Sequence, residues 1–365
     1  MSLDFLEVYR HKRVLLTGHT GFKGRWLSKI LLDAGAEVAG VALAPLTADD
    51  QAVFSASDVE ANVKSYLGDV ADLSFLKEAF AEFQPEIVFH LAAQPLVLES
   101  YKNPVYTYNT NVMGTVNVLG CVLLSDTVKS VLNVTTDKVY RNNEWPWGYR
   151  EDDVLAGHDP YSNSKSCSEL VTASFKECFL EQTGVAVSTA RAGNVIGGGD
   201  FSANRIVPDC IRAAAEGKVI EVRNPGSVRP YQHVLEPLFA YLMIAARQYQ
   251  DGKYAGAYNV GPEEADAVTT GTLATLFCQA WGEGAKWETH TIQQPHEAGM
   301  LRLDCSRMKS VFGWQPAWRI QEAIERTVEW TRVYRQYGDI AGCMSKQIAA
   351  YAEDFAAALN RRQNR

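Results

Sequence analysis

Short apolar runs alternate with amphipathic stretches along the first two-thirds of the chain. Most of the runs are apolar throughout, which is typical of parallel strands covered on both faces. We therefore predict strands at Arg13–Thr17, Glu37–Val41, Ser65–Leu67, Ile87–Leu91, Val131–Thr135 and Val185–Ala190. Helical periodicity predicts helices at Gly21–Ala34, Asp72–Phe83, Pro104–Leu124 and Tyr161–Gln182. This alternation predicts an α/β fold, a Rossmann-type doubly wound parallel sheet.

The pattern changes after Arg191. Glycine-rich or turn-forming segments at Gly197–Asp200 and Asn224–Gly226 precede mostly helical sequence, and Ala257–Val260 is one more strand candidate that returns to the sheet. The polar end, Asn360–Arg365, is expected to be disordered. The predicted parts are a dinucleotide-binding Rossmann domain (1–192 and 233–263), a smaller, mostly helical substrate lobe (193–232 and 264–350) and a C-terminal tail (351–365).

Composition narrows the possible classes of protein. The 365 residues are 47% hydrophobic and 21% charged, an ordinary globular balance. The net charge of −8 argues against a general nucleic-acid or anionic-membrane binder. The richest apolar run, Leu238–Arg247, is far shorter than the about 20 residues of a membrane span. The scattered cysteines predict no metal site, and we expect a cytoplasmic protein.

The first predicted strand runs directly into Gly18–Gly24 (GHTGFKG), which opens the first predicted helix. Three glycines with this spacing permit a tight turn and let backbone amides approach a pyrophosphate. The helix N-terminus adds a partial positive charge there. The segment therefore predicts dinucleotide binding, against the alternative of ordinary turn glycines.

The choice between NAD and NADP depends on the end of the second strand. Val41–Pro45 holds no acidic residue for a ribose 2′-hydroxyl, and Asp49 and Asp50 follow in an expected loop. Lys23 and Arg25 lie near the phosphate loop and could favour a 2′-phosphate. We predict NAD as the cofactor and leave NADP open.

Asp69 follows the third predicted strand. That position is suited to a contact with the adenine of a bound dinucleotide. The alternative is that Asp69 is the N-cap of the next helix.

Tyr161 and Lys165 are four residues apart and share one face of a predicted helix. A lysine ammonium beside a phenol lowers the phenol pKa from about 10, which makes tyrosine a usable base for the oxidation of an alcohol. The alternative is an ordinary surface pair. The glycine loop, and Thr136 at the end of an earlier strand, favour the catalytic interpretation.

The chain resembles the extended short-chain dehydrogenase/reductase family over nearly its whole length. The resemblance rests on Gly18, Gly21, Gly24, His90–Gln94, Asn111–Thr115, Thr136, Tyr161, Lys165 and Arg191–Gly197. It implies redox chemistry on nucleotide-activated sugars. The implied cofactor contacts are Gly18, Thr20, Gly21, Phe22, Lys23, Gly24, Asp69, Val70, Leu91, Ala92, Ala93, Thr110, Tyr161 and Lys165.

Asp137 and Lys138, directly after Thr136, indicate which reaction the family resemblance implies. The family's sugar epimerases usually carry small residues there, whereas its nucleotide-sugar 4,6-dehydratases carry an acidic or an acid–base pair. An Asp-Lys pair resembles the dehydratases of CDP-glucose. Further similar segments are Trp147–Glu151, Arg229–Val234 and Pro295–Ala298. The implied reaction is oxidation at C4, loss of water across C5–C6 and hydride return to C6.

The resemblance also implies a role for each catalytic residue. Thr136 binds the sugar 4-hydroxyl, Tyr161 is the C4 base, Asp137 is the acid for the 6-hydroxyl, Lys138 serves near C5 as the base, and Lys165 supports the tyrosine. A lysine base must be neutral, so its pKa must move from about 10.4 towards 7. If Asp137 and Lys138 are both neutral, their roles as acid and base are compatible with each other. The alternative is an ion pair between them, or a cofactor contact by Lys138.

The substrate diphosphate requires cations, and a guanidinium suits bidentate phosphate binding. The implied substrate contacts are Gln94, Asn194, Arg205, Arg229, Gln232 and His296, with a structural role as the alternative for His296.

Other functions and the assembly stay open. The competing functions are a 4,6-dehydratase or 4-epimerase of another nucleotide sugar, and a non-catalytic dinucleotide-sensing scaffold. The resemblance implies a homodimer or homotetramer that pairs through the Tyr161–Gln182 helix. Val171, Ala173 and Phe175 suit such an interface and equally suit a core.

Overall fold

A computed structural model of the protein describes residues 3–289 and 299–363. Its strands are β1 (Arg13–Thr17), β2 (Glu37–Ala42), β3 (Lys64–Leu67), β4 (Ile87–His90), β5 (Ser130–Val134), β6 (Ala186–Ala192), β7 (Asn194–Ile196), β8 (Ile220–Val222), β9 (Val228–His233), β10 (Ala257–Val260), β11 (Ala267–Thr269) and β12 (Trp287–Thr289). Its α-helices are α1 (Asp4–Glu7), α2 (Phe22–Asp33), α3 (Ala48–Ala56), α4 (Val59–Asn62), α5 (Leu73–Phe83), α6 (Val97–Lys102), α7 (Pro104–Tyr108), α8 (Gly114–Leu123), α9 (Pro160–Phe175), α10 (Ile206–Ala215), α11 (Leu235–Gln250), α12 (Thr270–Trp281), α13 (Ser306–Phe312), α14 (Ile320–Arg335) and α15 (Ile340–Gln363).

Within the described residues, seven parallel strands form the main sheet in the order β3-β2-β1-β4-β5-β6-β10. This confirms the predicted doubly wound sheet. β4 and β5 are buried along their whole length, and most of their residues are apolar, as in strands covered on both faces. The strand order reverses between β1 and β4, so a crevice opens at the carboxyl ends of these two strands.

Two of the predicted helices are interrupted. The segment predicted as one helix at Pro104–Leu124 passes through a π-helical turn, Asn109–Met113, between α7 and α8. A second π-helical turn, Lys176–Leu180, follows α9. Such turns insert a residue into the helical repeat and are frequent at functional sites. Thr110 lies on the first turn, so its side chain is placed by this irregularity.

The later segments build a second layer of structure. β7, β9 and β11 form a small sheet, and β8 pairs with β12. Val207, Phe277 and Ile324, from α10, α12 and α14, are buried in one cluster beside these strands. α11 packs instead on β5 and β6 of the main sheet. We propose the two-lobe division expected from the sequence on the basis of these contacts.

The C-terminal segment differs from the expectation. Residues 351–363, predicted as part of a tail with a disordered end, form the second half of α15. Tyr351 and Phe355 are fully buried, and Phe239 contacts both rings at centroid distances of 4.7 and 5.5 Å. Phe5 packs edge-on against Phe355. The aromatic face of the helix closes the core, which explains why the segment is ordered.

Glu236 joins three elements inside this core. Its carboxylate accepts hydrogen bonds from the amides of Ala317 (2.9 Å) and Trp318 (2.6 Å) and from the Tyr351 hydroxyl (2.7 Å). Burial outweighs these donors and raises the pKa of Glu236 from 4.5 to about 7.

No helix among the described residues could cross a membrane.

The raised pKa of Glu236 links stability to pH. A carboxyl that binds its proton more tightly when folded contributes stability that is complete below pH 4.5 and is lost as pH rises through about 7. We expect the free energy of unfolding to fall by about 3 kcal/mol from this group across that window. Denaturant titrations at several pH values should show that the free energy of unfolding depends less on pH in Glu236→Gln than in wild type. The same pH dependence in both proteins would contradict the raised pKa of Glu236.

Candidate active site

The glycine loop lies at the crevice between β1 and β4. Gly18 has φ +82°, and a Cβ there would lie 3.1 Å from the Ala92 nitrogen, just after β4. At Gly24 a Cβ would lie 2.0 Å from the Gly18 carbonyl oxygen. Both positions therefore require glycine, and the N-terminus of α2 is pressed against the loop. This geometry suits a diphosphate held by backbone amides at a helix N-terminus.

The other predicted cofactor residues surround this crevice. The Thr17 hydroxyl accepts the amides of Leu91 (3.1 Å) and Ala92 (3.0 Å), which fixes the segment after β4. Thr20 donates its hydroxyl to the Leu43 carbonyl at 2.9 Å. The Thr110 hydroxyl is buried and has no hydrogen-bond partner among the described residues. An orphaned hydroxyl at this crevice is a group that a bound dinucleotide could satisfy.

The alternative interpretation of Asp69 as a helix cap is wrong. Asp72 is the N-cap of α5, and its carboxylate accepts the amides of Ser74 and Phe75. Asp69 instead accepts the Ala71 amide at 2.9 Å in the turn after β3. A contact between Asp69 and the adenine stays a prediction.

The expected 2′-phosphate role of Arg25 is wrong. Arg25 is only 1% exposed and forms an ion pair with Asp50 at 3.1 Å. Asp49 and Asp50 lie in the first turn of α3 rather than in a loop, because the Thr47 hydroxyl caps that helix. A guanidinium enclosed in this way is not available to a ribose phosphate.

Lys23 lies at the catalytic end of the loop. Burial and the positive charges of Arg205, Lys165 and Lys138 together lower its pKa to about 7, while Asp137 opposes them. These charges belong to the predicted catalytic and substrate residues. Lys23 therefore joins a cluster of cations, which suits a site for an anionic ligand.

Thr136, Tyr161 and Lys165 meet at the carboxyl end of β5. Asp159 caps α9 by accepting the Ser162 amide at 2.9 Å, and this helix carries the tyrosine and the lysine. Tyr161 and Lys165 are both buried. Lys165 donates to the Val134 carbonyl at 3.2 Å, so the helix is tied to the end of the strand.

The expected low pKa of the Tyr161 phenol is not what the structure has. Burial raises it to about 12, and a hydrogen bond with Thr136 opposes this rise. Burial also lowers the pKa of Lys165 to about 8, with Glu169 opposing. The physical reason is that Lys165 is directed to a backbone carbonyl and both groups are desolvated. A further positive charge at the site is needed to ionise the phenol.

Asp137 and Lys138 are in contact. Lys138 Nζ lies 3.0 Å from Asp137 Oδ1 and 3.0 Å from Asn194 Oδ1. Thr136 donates to the same aspartate oxygen at 3.0 Å. Asp137 is 0% exposed, and its second oxygen has no partner among the described residues. The short contact is the one expected of the ion-pair alternative, and neutral forms of both side chains fit it as well.

The predicted substrate residues divide into two groups. Asn194 contacts Lys138, and Arg205 lies near Lys23 while it pairs with Asp200 at 3.4 Å. The side chains of the others form hydrogen bonds within the protein. Gln94 bonds to Thr107 and Leu96. Arg229 donates to the carbonyls of Val228 and Gly299, and Gln232 donates to the Val260 carbonyl. His296 lies outside the described residues.

A buried ion pair beneath the site was missed from the sequence. Glu169 accepts from Arg191 Nε at 2.9 Å and Nη2 at 2.8 Å, and also from the hydroxyls of Thr135 and Thr189. The pair links α9 to β6 and to Thr135, which follows β5 and directly precedes Thr136, the predicted catalytic threonine. The signal was present, because Glu169 follows Lys165 by four residues on the same helix face.

Fold and site together define the class of protein. A Rossmann sheet with a glycine loop after β1 and a buried Tyr-x-x-x-Lys pair on α9 is the arrangement of an extended short-chain dehydrogenase/reductase. Residues 15–327 match the family described as GDP-mannose 4,6 dehydratase. The chain belongs to this family.

Individual relatives are similar over most of their length. The chain is 44% identical over 350 residues to CDP-glucose 4,6-dehydratase of Salmonella typhimurium, covering 94% of this chain and 97% of that protein. It is 27% identical over 336 residues to dTDP-glucose 4,6-dehydratase of Xanthomonas campestris pv. campestris, covering 87% and 92%. The latter match is weaker but still covers most of the chain.

Solved structures share the fold. A dTDP-glucose 4,6-dehydratase of Streptomyces venezuelae, solved with NAD and TYD bound, superposes with a TM-score of 0.76 at 22% identity and covers 90% of this chain and 99% of that one. A UDP-glucose 4-epimerase of Thermotoga maritima gives a TM-score of 0.76 at 22% identity, covering 88% and 99%. Because dehydratases and epimerases superpose equally well, the fold alone does not distinguish the two reactions.

Proposed function

We propose that this protein converts CDP-D-glucose to CDP-4-keto-6-deoxy-D-glucose with NAD as its cofactor. The observation that carries the proposal is the buried contact between Asp137 and Lys138, directly after Thr136 and beside the tyrosine helix. An epimerase has no use for an acid and a base at C5 and C6. The 44% identity to a CDP-glucose 4,6-dehydratase supports both the reaction and the nucleotide.

The residues of the crevice fit NAD. Gly18 and Gly24 permit the close backbone packing that holds the glycine loop at the N-terminus of α2, and the Thr110 hydroxyl has no hydrogen-bond partner among the described residues. NAD, when bound, accepts hydride from C4 of the sugar and returns it to C6. The end of β2 holds no cation for a 2′-phosphate, since Arg25 is buried against Asp50 and Lys23 lies among catalytic charges. This supports NAD over NADP.

Proton transfers by the chain's own residues balance the reaction. Thr136 binds the 4-hydroxyl, whose proton passes to Tyr161 as the base. Lys138 takes the proton from C5, and Asp137 protonates the 6-hydroxyl so that it leaves as water. Lys138 then returns its proton to C5. At the end Tyr161 holds the proton taken from the 4-hydroxyl and Asp137 has lost the one that left with water. Release of a proton by Tyr161 and uptake of one by Asp137 through solvent restore both side chains for the next turnover.

The position of Asp137 suits its role as the acid. Its Oδ1 accepts from Thr136 and Lys138, whereas Oδ2 has no partner in the described part of the chain and is free to carry the proton. A neutral Lys138 beside it, held by the Asn194 oxygen, is then the available C5 base.

The substrate assignment is tested by incubation with CDP-glucose, UDP-glucose and dTDP-glucose in separate reactions. We expect CDP-glucose to yield a 4-keto-6-deoxy sugar, seen as alkali-induced absorbance and loss of one water by mass, without net NADH. Formation of UDP-galactose from UDP-glucose, with no dehydration of any substrate, would contradict the proposal. Binding of NAD without turnover of any nucleotide sugar would favour the sensing scaffold.

Lys138→Ala should separate the base from the acid. Without the amine, exchange of the C5 proton with solvent in the 4-keto state is expected to slow about 10²–10⁴-fold, the usual contribution of a positioned base. The measurement is deuterium incorporation at C5, followed by NMR. Lys77→Ala, at an exposed site on α5, is the control. Full exchange in Lys138→Ala would show that another group is the base.

A homodimer through α7, α9 and the turns after them is part of the proposal. Val105 is 82% exposed and Leu170 56%, and Met113 and Phe179 are also exposed on these segments. Large apolar side chains clustered on neighbouring helices are typical of an interface. Val171 and Phe175, expected there from the sequence, pack instead against the core. A tetramer would use further surfaces.

Leu170→Asp should convert the dimer to a monomer. A charge placed inside an apolar interface is desolvated without a partner, so we expect at least a tenfold weaker association. Light scattering after size exclusion measures the mass directly. The control is Val311→Asp on α13, which also replaces an exposed apolar residue but lies outside the proposed interface. It should leave the mass unchanged. A monomeric wild type would refute the dimer.

The location expected from the sequence is cytoplasmic, and we include it in the proposal. The seven cysteines, all within the described residues, form no disulfide. Unpaired cysteines are usual in reducing compartments.

A further inference from the structure

Arg25 is an internal cation with no part in the proposed proton transfers. It lies in the first turn of α2, directly after the glycine loop, and is buried. Its Nη1 donates to the Thr20 carbonyl at 2.6 Å and to Asp50 Oδ1 at 3.1 Å. Its Nη2 donates to the Gly199 carbonyl at 2.6 Å. The Asp50 carboxylate offsets the cost of burying the charge.

The two carbonyls belong to different binding regions. Thr20 is inside the glycine loop, where the cofactor diphosphate is proposed to bind. Gly199 directly precedes Asp200, whose carboxylate holds the Arg205 guanidinium at 3.4 Å. One rigid guanidinium therefore connects the cofactor loop to the segment that orients a proposed substrate cation, across 174 positions of sequence.

The loop that Arg25 holds has little room to move independently. The Trp26 indole donates to the Gly198 carbonyl at 2.9 Å. A Cβ at Gly198 would lie 2.1 Å from the Trp330 ring, and Gly199 has φ +85°. The loop is thus enclosed between α2 and α14. Arg25 and Trp26 therefore tie the backbone of Gly198 and Gly199 to the first turns of α2, directly after the glycine loop.

We propose that Arg25 is a positioning residue that couples cofactor binding to nucleotide-sugar binding. Arg25 holds the glycine loop and the Gly199–Asp200 segment in one arrangement, so a cofactor diphosphate that binds the loop also favours the position from which Asp200 orients Arg205 towards the substrate diphosphate. This inference rests on the proposed function. Coupling between two sites is reciprocal, so each ligand must raise the affinity of the other by the same factor.

The test measures this factor by calorimetry. The dissociation constant of CDP is determined with and without saturating NAD, and that of NAD with and without CDP. In wild type we expect each ligand to strengthen the other about 5–150-fold, the usual range of coupling. Arg25→Met should bring the factor close to one, and Arg25→Lys should restore part of it. Lys29→Met is the control, because Lys29 lies on the same helix and pairs with Asp33 away from the loop.

Each outcome bears on the proposal. If Arg25→Met does not fold, Asp50→Asn removes the carboxylate that anchors the guanidinium and should also reduce the factor. An unchanged factor in the folded variants, or loss of coupling in Lys29→Met, would overturn the inference. A wild type that binds both ligands without coupling overturns the inference alone. A wild type that binds NAD but not CDP overturns the proposed function and this inference with it.

Discussion

Replacing Asp137 by asparagine is expected to lower the rate of CDP-glucose dehydration about 10²–10⁴-fold while oxidation at C4 continues. Asparagine has nearly the same shape and still accepts from Thr136 and Lys138, which both lie 3.0 Å from Asp137 Oδ1. It has no proton for the leaving 6-hydroxyl. The reaction should therefore stop after the first hydride transfer, and reduced cofactor should accumulate on the enzyme.

The measurement is the NADH absorbance during a single turnover of CDP-glucose. Asp137→Asn should show a lasting signal, whereas wild type should show at most a brief one because the hydride returns to C6. Asp126→Asn, at an exposed aspartate outside the site, should behave as wild type. Dehydration at the wild-type rate by Asp137→Asn would mean that another group protonates the 6-hydroxyl.

The main sheet was predictable because its strands have a local signature. β4 and β5 are buried on both faces, so most of their residues are apolar. The glycine loop was predictable for a related reason, since Gly18 and Gly24 are needed by a close backbone approach that depends on nearby sequence. Local steric requirements leave a pattern that can be read without the structure.

Features that depend on distant contacts were not predictable. One partner of Arg25 is the Gly199 carbonyl, 174 residues away, and the sequence alone did not show it, so this cation beside a phosphate loop was interpreted as a phosphate ligand. Gln94 likewise uses its amide on Thr107 and Leu96, which gives it a structural role that its motif does not show. Side-chain partners set by tertiary packing decide such roles, and sequence proximity does not report them.

The C-terminal helix is an intermediate case. Tyr351, Phe355 and Leu359 are spaced as on one helix face, and all three are buried. The polar residues that follow them suggested a tail instead. The apolar periodicity was the better guide, because an amphipathic helix is stabilised by the core that it covers.

The protonation of Tyr161 could not be inferred from its spacing to Lys165 either. A pair at i and i+4 shares a helix face, but here the lysine is directed to the Val134 carbonyl. Burial of both groups then dominates, raising the phenol pKa to about 12 and lowering that of the lysine to about 8. The spacing locates the two residues, and desolvation sets their charges.

Tyr161→Phe should lower kcat about 10²–10⁴-fold because it removes the base for the 4-hydroxyl. It should also remove a pH dependence. A base acts when deprotonated, so wild-type kcat/KM should rise with pH until the phenol is ionised. With a pKa of about 12, only about one phenol in 10⁵ is ionised at pH 7 in the cofactor-free protein. A bound nicotinamide cation and the Lys165 ammonium both favour the phenolate.

The ionisation of Tyr161 is measured directly by titrating phenolate absorbance in wild type and Tyr161→Phe, with and without NAD. The difference in phenolate absorbance between wild type and Tyr161→Phe should appear near pH 12 without NAD and at lower pH with NAD. Support from Lys165 should fade above pH 8, where the lysine loses its charge. Tyr337→Phe, at a fully exposed tyrosine, is the control. If Tyr161→Phe keeps the wild-type rate and its rise with pH, then Tyr161 is not the base.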